Sequence, residues 1–141
     1  MEKEKFIERK RLEELVQGFN TELDAVVVEG LADKRVIQEL GFRGKVFLSA
    51  ERTVEDLVED VSRGAERVAV LTDFDEHGKE QNKMISRKLD REIDVIRSLR
   101  EDFGIQLTST GRRTIEDIAP LFRDSEKKFV EAALDGLFFQ G

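Results

Sequence analysis

Short apolar runs alternate with amphipathic stretches along most of the chain. Apolar residues recur three and four positions apart over 3–19, and this spacing predicts a helix. The β-branched run 25–28 follows between polar residues, which predicts a strand buried on both faces. The segment 33–40 then predicts a second helix, which stops at Gly41.

The same alternation repeats through the rest of the chain. Three further strands are predicted at 45–48, 68–71 and 105–107. The intervening and following segments predict helices over 53–61, from about 79 to 102, and from 114 onward. Because strands alternate with helices at this spacing, we expect parallel βαβ units. The pattern therefore predicts an α/β fold of three layers (α/β/α) with a four-stranded parallel sheet.

Two acidic motifs stand where predicted strands end. Glu29-Gly30 follows the first strand, and Asp73-Phe74-Asp75 follows the third. In an open α/β sheet the ligand site lies beyond the carboxyl ends of the strands, where the strand order reverses. The two motifs can meet at such a point only if the first and third strands are neighbours. We therefore expect the strand order second, first, third, fourth.

A cation is expected where these motifs meet, because three close carboxylates raise one another's pKa when no cation is present. Oxygen ligands without histidine or cysteine suit a hard ion such as Mg²⁺ or Mn²⁺. Acids at strand ends also commonly cap the next helix, so either motif alone would carry little weight. Together they predict a metal site made of Glu29, Asp73 and Asp75.

Length and composition narrow the possible chemistry. The chain has 141 residues, which predicts a single domain over 1–141, with an N-terminal helix within 1–20 and C-terminal helices over 114–141. It contains no cysteine, tyrosine or tryptophan, which excludes disulfides, thiolate metal sites, and cysteine or phenolic nucleophiles. It has no long apolar run and no signal-peptide pattern, so we expect no membrane partner and a cytoplasmic location.

The charge is acidic overall but basic in one place. The formal net charge is −7, from 31 acidic and 24 basic residues. Such a balance weakens the case for a nucleic-acid partner, because phosphate neutralisation supplies most non-specific affinity. However, Lys79, Lys83, Arg87 and Arg91 follow the second motif four residues apart, on one face of the predicted helix. These four residues, the basic stripe, are either a track for phosphate groups or a solvated helix face.

Other residues are candidates for contacts with phosphate or with partners. Arg112 and Arg113 follow the predicted fourth strand, and we expect them on the same sheet edge as the acids, where arginine could clamp a phosphate. Lys34, after the first motif, is a further candidate for phosphate binding. His77 is either a proton donor, since histidine titrates near neutral pH, or a solvated loop residue. The apolar tail 134–139 either docks on its own domain or contacts a protein partner or a second copy.

The segments VVVEGLADK and VLTDFDEHGK resemble the Toprim domain, which is shared by topoisomerases, bacterial-type primases, some nucleases and recombination proteins. The motifs are also similar to those of the ribonuclease that matures 5S ribosomal RNA. The resemblance covers roughly residues 24–110 and implies a Rossmann-like Toprim fold. It also implies site roles: an acid/base role for Glu29, metal binding for Asp73 and Asp75, and close approach of substrate to the backbone at Gly30.

The resemblance implies a Mg²⁺- or Mn²⁺-dependent protein that acts on RNA or DNA, either a phosphodiester-hydrolysing nuclease or another enzyme of phosphoryl or nucleotidyl transfer. The alternative is a non-catalytic module, related to primase Toprim domains, that binds metal and nucleic acid or recruits a partner. Without tyrosine the chain cannot form the covalent link of a topoisomerase, and without cysteine it is not expected to be a complete primase.

A phosphatase of the halo-acid-dehalogenase type is a further alternative, because that family also begins with two aspartates, one residue apart, after a strand. That family expects its motif near the N-terminus, whereas here the motif lies in the middle of the chain. It also expects a threonine or valine at the position where this chain has His77. Both differences favour the Toprim interpretation.

Overall fold

The computed structural model describes residues 2–122, in which five α-helices alternate with four β-strands. The helices are α1 (Glu2–Glu22), α2 (Leu31–Glu39), α3 (Val54–Gly64), α4 (Glu76–Leu89) and α5 (Arg97–Ser109), followed by a 3₁₀ helix at Glu116–Ile118. The strands are β1 (Ala25–Val28), β2 (Lys45–Leu48), β3 (Arg67–Val70) and β4 (Asp94–Val95). The predicted helical segment after residue 122 and the apolar tail 134–139 lie outside the described residues.

The four strands form one parallel sheet in the order β2-β1-β3-β4. Val26 of β1 pairs with Val46 of β2 on one side and with Ala69 of β3 on the other. The predicted α/β class, the parallel sheet and the strand order are therefore confirmed. The chain moves outward from β1 to β2 and then returns across β1 to β3, so the strand order reverses between β1 and β3.

Two apolar cores lie on the two faces of the sheet, because successive side chains of a strand point to opposite faces. Val26 and Val28 of β1 pack in the core that includes α1, α2 and α5. Ala25 and Val27 pack in the other core, against α3 and α4. The sheet is therefore the middle layer of an α/β/α arrangement, and β1 is buried along its whole length.

The helix α1 corresponds to the helix predicted over 3–19 and is amphipathic. Leu12, Val16 and Phe19 recur three and four residues apart and are fully buried. Most of its remaining positions are charged or polar. Among residues 2–122, no helix is both long and apolar enough to cross a membrane, α1 included.

The predicted fourth strand at 105–107 is wrong, because this segment lies within α5. Phe103 and Leu107 are fully buried one helical turn apart, whereas Ile105 between them is 69% exposed. Ile105 and Leu107 are two residues apart, the spacing of one face of a strand. The four-residue spacing from Phe103 to Leu107 is the one that the fold uses.

The edge strand next to β3 is β4, which lies inside the segment predicted as one helix over 79–102. The predicted helix is therefore interrupted: α4 ends before β4, and α5 begins after it. The helix α4 ends at Leu89, and the chain turns before it enters the sheet. The N–H of Ile96 donates a hydrogen bond to the carbonyl of Val68, 2.8 Å away, which extends the pairing with β3. The segment 93–96 contains three β-branched residues, which favour extended backbone, although their spacing from Leu89 also fits a helix.

Candidate metal centre

Two acidic residues meet at the carboxyl edge of the sheet, between the strands where the order reverses. Glu29 directly follows β1, and Asp73 lies just beyond the end of β3. The N–H of Leu71 donates to the carbonyl of Val27 at 2.7 Å, so the two chain segments stay paired past the end of β3. The carboxyl group of Asp73 consequently lies close enough to that of Glu29 for Glu29 to raise its pKa. These two residues form the acid pair.

The acid pair makes no ion pair among the described residues, although the buried guanidinium of Arg100 interacts electrostatically with Asp73. Burial raises the pKa of Asp73 and the adjacent Glu29 raises it further, to about 7, with smaller contributions from Asp33 and Asp75. The Oε2 atom of Glu29 is buried and has no hydrogen-bond partner in the described part of the chain. Two close carboxylates without a cation are unfavourable, since each disfavours ionisation of the other. Near pH 7 a large share of molecules therefore holds a proton at this pair.

The third predicted ligand, Asp75, has a different role in this structure. It is the N-cap of α4, and its Oδ1 accepts a hydrogen bond of 2.8 Å from the N–H of Gly78. Within residues 2–122, no group of three acidic or histidine side chains is arranged so that it could hold a metal ion. The structure thus brings together two of the three predicted ligands and uses the third to start a helix. His77 is exposed in the first turn of α4.

The acidic loop, residues 73–75, is fixed by contacts on both sides. The N–H of Phe74 donates to the carbonyl of Arg113 at 2.7 Å. On the other side, α4 begins so close to the loop that a Cβ at Gly78 would lie 1.9 Å from the carbonyl oxygen of Asp73. Only glycine fits at this point, so the position of the loop depends on Gly78.

A buried arginine, Arg100 of α5, lies beneath the acidic loop and is absent from the predicted site. Its guanidinium donates to the carbonyl oxygens of Val70 at 3.0 Å, Thr72 at 2.7 Å and Asp73 at 3.1 Å. It also covers the ring of Phe74, 4.2 Å from the ring centroid. Burial lowers the pKa of Arg100 to about 10, against the opposing effect of Asp73, so it stays charged at neutral pH. It holds the end of β3 and the loop in place.

Asp33 is a second residue that the predicted site lacks. Although only 7% exposed, its carboxylate accepts hydrogen bonds from the N–H groups of Gly30 at 3.0 Å and Glu116 at 3.1 Å. Burial raises its pKa more than these two bonds lower it. Asp33 therefore joins the first motif to the segment that follows α5. The three-residue spacing from Gly30 to Asp33, typical of a capping box, is the signal that could have identified it.

The basic stripe only partly follows the predicted helix. Lys79, Lys83 and Arg87 are exposed on α4, and Lys83 makes an exposed ion pair with Glu80 at 3.7 Å. Arg91 lies beyond the end of the helix, in the turn before β4. The prediction of four residues on one helix is therefore wrong for Arg91, because α4 ends sooner than the prediction assumed.

Arg112 and Arg113 do not act as a pair. The guanidinium of Arg112 forms an ion pair of 2.6 Å with Glu8 of α1, so this residue is committed to a contact between α1 and the segment after α5. Arg113 is exposed, and its main-chain carbonyl is the group that holds the acidic loop. Lys34 is half-buried in the first turn of α2, and a Cβ at Gly30 would meet only Asp33, 4.0 Å away.

The fold and its acid pair define a class: three-layer α/β proteins with acidic residues at the switch point of a parallel sheet. Within that class the chain belongs to the UPF0292 family. A UPF0292 protein of Thermococcus onnurineus (strain NA1) is 31% identical over 110 residues, which are 78% of this chain and 74% of the relative. A UPF0292 protein of Thermococcus gammatolerans is 33% identical over 76 residues, which are 54% of this chain and 56% of that protein.

A solved structure has a similar fold. It is a protein from Aquifex aeolicus with a TM-score of 0.59 and 25% sequence identity, and the similarity covers 77% of this chain and 94% of that one. No family model matches the sequence. The comparisons therefore give the family and the fold, and the activity has to be argued from the site.

Proposed function

We propose that the chain is a metal-dependent phosphoryl-transfer protein that acts on nucleic acid, and that it hydrolyses phosphodiesters. The observation that carries this proposal is the acid pair at the switch point, where Glu29 and Asp73 lie side by side and Glu29 Oε2 is buried without a partner. A divalent cation would neutralise the pair and supply the partner that this oxygen lacks. The resemblance of both motifs to the Toprim domain supports the same function.

The residues present fit a hard cation such as Mg²⁺ or Mn²⁺. Mg²⁺ usually keeps several waters and binds through one or two carboxylates together with substrate phosphates. The acid pair therefore suffices as its protein ligand set, although residues 2–122 contain no three-residue metal group. Glu29 and Asp73 would hold the ion. Asp75 would join them through the oxygen that does not accept from Gly78.

The chemistry of such a site divides between the ion and the chain. When bound, the ion would polarise a phosphodiester and lower the pKa of a water molecule. Glu29 would accept the proton of the attacking water as general base. Arg100 would keep the main chain of Asp73 in position through the hydrogen bonds described above. Exposed Lys79 and Lys83 would bind the phosphates on either side of the reacting one.

A non-catalytic module that binds metal and nucleic acid, or recruits a partner, is the second candidate. The observation in its favour is the role of Asp75, whose carboxylate caps α4 and leaves two acids at the centre. A site with two acids can dock a phosphate through a bound ion without activating a water molecule. The two candidates therefore differ in turnover, not in binding.

The experiment that separates them measures cleavage and binding on the same samples. Labelled RNA and DNA, single- and double-stranded, are incubated with Mg²⁺ or Mn²⁺ and the wild type, Glu29→Gln or Glu39→Gln. Glu39 is an exposed residue at the end of α2, so Glu39→Gln removes one carboxylate away from the site. We expect cleavage by the wild type and the control and a loss of about 100-fold or more in Glu29→Gln.

Two outcomes would contradict hydrolysis as the function. Equal cleavage by Glu29→Gln would mean that the acid pair does not perform the reaction. Binding of labelled strands by fluorescence anisotropy, with no cleavage under any condition, would favour the non-catalytic module.

A further inference from the structure

Buried polar atoms without a hydrogen-bond partner gather at the carboxyl edge of the sheet. A folded protein contains few such atoms, and each needs a physical reason, such as a bound water molecule or ion. Four of them belong to residues that follow a strand end or lie in the first half of α4, whereas Ser62 lies near the end of α3. Within residues 2–122 these atoms are Glu29 Oε2, Ser49 Oγ, Arg52 Nε, Ser62 Oγ and Gln81 Oε1.

Ser49 lies beside Glu29, because the pairing of β2 with β1 continues past the end of β2. The N–H of Ser49 donates to the carbonyl of Val28, and the N–H of Ala50 donates to the carbonyl of Glu29, both at 2.9 Å. The chain then turns at Glu51, whose φ of 62° lies in the left-handed region that residues other than glycine rarely adopt. Two buried oxygens without partners, Ser49 Oγ and Glu29 Oε2, therefore belong to neighbouring residues of paired segments.

Gln81 reaches the same edge from α4. It lies four residues before Ile85, which packs in the core against α3, so the two residues share the inner side of the helix. Both α3 and α4 start at the carboxyl edge, and Glu55 in the first turn of α3 pairs with Lys88 in the last turn of α4 at 2.6 Å. Gln81 precedes Lys88 by two helical turns, about 10 Å along the axis. It therefore lies beyond the start of α3, at the level of the loop that carries Ser49.

Three of these atoms are oxygens that can accept a hydrogen bond: Glu29 Oε2, Ser49 Oγ and Gln81 Oε1. Mg²⁺ usually keeps several water molecules when it binds to a protein, and bound water donates hydrogen bonds to acceptors around the ion. The fourth atom, Arg52 Nε, is a donor on a cation, and the guanidinium of Arg52 already pairs with Asp60. The three acceptors suit a hydrated cation, whereas Arg52 does not.

We propose that Ser49 and Gln81 accept hydrogen bonds from water bound to the cation at the acid pair, and thereby hold the ion in its hydrated form. This inference rests on the proposed function and adds two positioning residues to its metal site. The acid pair supplies the negative charge, and the two neutral acceptors orient the water. Such outer partners commonly set the affinity of a metal site even though they do not touch the ion.

The test measures two quantities on the same variants: the affinity for Mg²⁺ by calorimetry, and the stability of the metal-free protein by urea unfolding in EDTA. Ser49→Ala and Gln81→Met each remove one acceptor with little change in side-chain size. We expect each variant to bind Mg²⁺ about tenfold more weakly than the wild type. The metal-free variants should unfold at the same or a higher urea concentration, because each has lost a buried oxygen without a partner. A purely structural role would instead lower the stability and leave the Mg²⁺ affinity unchanged.

Ser62→Ala is the matched control, because Ser62 also has a buried hydroxyl without a partner but lies near the other end of α3. This variant, and Ser49→Thr, which keeps the hydroxyl, should bind Mg²⁺ within about twofold of the wild type. The inference is overturned if the wild type binds no Mg²⁺, or if Ser49→Ala and Gln81→Met bind it like the control. Cleavage that depends on Glu29, with Mg²⁺ affinity unchanged in both variants, would reject the inference alone. Weakened Mg²⁺ binding in both variants without any cleavage of RNA or DNA would reject the proposed hydrolysis and keep the inference.

Discussion

Glu8 is a buried carboxyl group and Asp73 a half-buried one, and their pKa values move in opposite directions. Burial acts to raise the pKa of Glu8, but hydrogen bonds from Arg112 and Thr110 outweigh it, and the pKa is lowered. Burial also raises the pKa of Asp73, and there the neighbour is a second acid, Glu29, which raises it further. Burial acts in the same direction on both carboxyl groups, so the difference between them comes from the charge of the partner.

The two acids also differ in what they connect. Glu8 closes a contact between α1 and the segment after α5, and its Oε1 accepts from Thr110 at 2.7 Å and from Arg112 at 2.6 Å. The acid pair makes no comparable side-chain contact between elements, since Glu29 Oε2 has no hydrogen-bond partner in residues 2–122. This contrast supports the proposal that the acid pair holds a divalent cation.

The largest effect on the free energy of unfolding is expected when Glu8 loses its ion-pair partner, Arg112. Arg112→Ala would remove the ion-pair partner of buried Glu8, leaving the Thr110 hydroxyl and the weaker influence of Lys5, and should destabilise the protein by about 3 kcal/mol. The measurement is urea unfolding at pH 7. Arg63→Ala is the matched control, because Arg63 pairs with Glu59 on the surface and should cost less than about 1 kcal/mol. Equal costs for the two variants would show that the Glu8 contact is no more than a surface ion pair.

Asp73 should make the free energy of unfolding fall as pH rises, which is opposite to the effect of an acid with a lowered pKa such as Glu8. The pKa of Asp73 in the folded protein, about 7, is above its ordinary range near pH 4. Between these values the folded state binds more protons than the unfolded state, so stability is lost as pH rises through this window. Allowing for solvent screening of a half-exposed group, we expect a loss of about 1–2 kcal/mol between pH 4 and pH 7.5.

Asp73→Asn should abolish this loss, so the variant would exceed the wild type in stability above pH 7 and match it near pH 4. Unfolding in urea across this pH range, without divalent ions, measures the difference. Asp102→Asn, at an exposed position of α5, is the control and should keep the wild-type slope. If Asp73→Asn kept the wild-type dependence of stability on pH, the acid pair would not be the cause of the loss of stability.

Much of the fold could be predicted because strand order follows from chemistry as well as from periodicity. The two acidic motifs could meet only if β1 and β3 were neighbours, and this requirement fixed the order that the structure has. Prediction failed at β4, where Ile93 and Ile96 fit the spacing of both a helix and a strand. Local spacing cannot decide such a segment, since its pairing with Val68 is a contact of distant residues.

The candidate site was predictable in part for a similar reason. Glu29 and Asp73 lie just after the ends of β1 and β3, which are neighbouring strands. Their proximity is therefore a consequence of the fold. Arg100 was not predicted, because a charged residue on the apolar face of a helix gives no sign of the main-chain carbonyls that it will bind. The capping role of Asp75 was equally hidden, since the same residue type serves a helix N-terminus and a metal ion.

A bound divalent ion should neutralise the acid pair and thereby remove the difference in stabilisation between Asp73 and Glu8. Bound at about five times its dissociation constant, Mg²⁺ would stabilise the folded protein by about 1 kcal/mol. The double variant Asp73→Asn/Asp75→Asn should show neither this stabilisation nor binding heat in a calorimetric titration. Asparagine is also a good N-cap, so the second substitution should leave α4 intact. Equal stabilisation of Glu29→Gln/Asp73→Asn by Mg²⁺ would place the ion elsewhere.

The smallest effect on the folded protein is expected from the basic stripe, where no acid is buried and each charge is exposed. Lys83→Ala/Arg87→Ala should change the free energy of unfolding by less than about 0.5 kcal/mol, since Lys83 loses only a surface pair with Glu80. Its effect should appear in binding to RNA or DNA, where each lost phosphate contact lowers the salt slope by about one unit.

The control for this last prediction removes the same charge from another surface. Lys3→Ala/Lys10→Ala takes two exposed lysines from α1 and lowers the net charge equally, so any general electrostatic effect is shared by both double variants. Anisotropy titrations over a range of salt concentrations should then give a shallower slope for Lys83→Ala/Arg87→Ala alone, with unchanged Mg²⁺ affinity. If both variants keep the wild-type slope, the stripe is a solvated helix face, and a ligand no larger than a nucleotide would reach the acid pair without it.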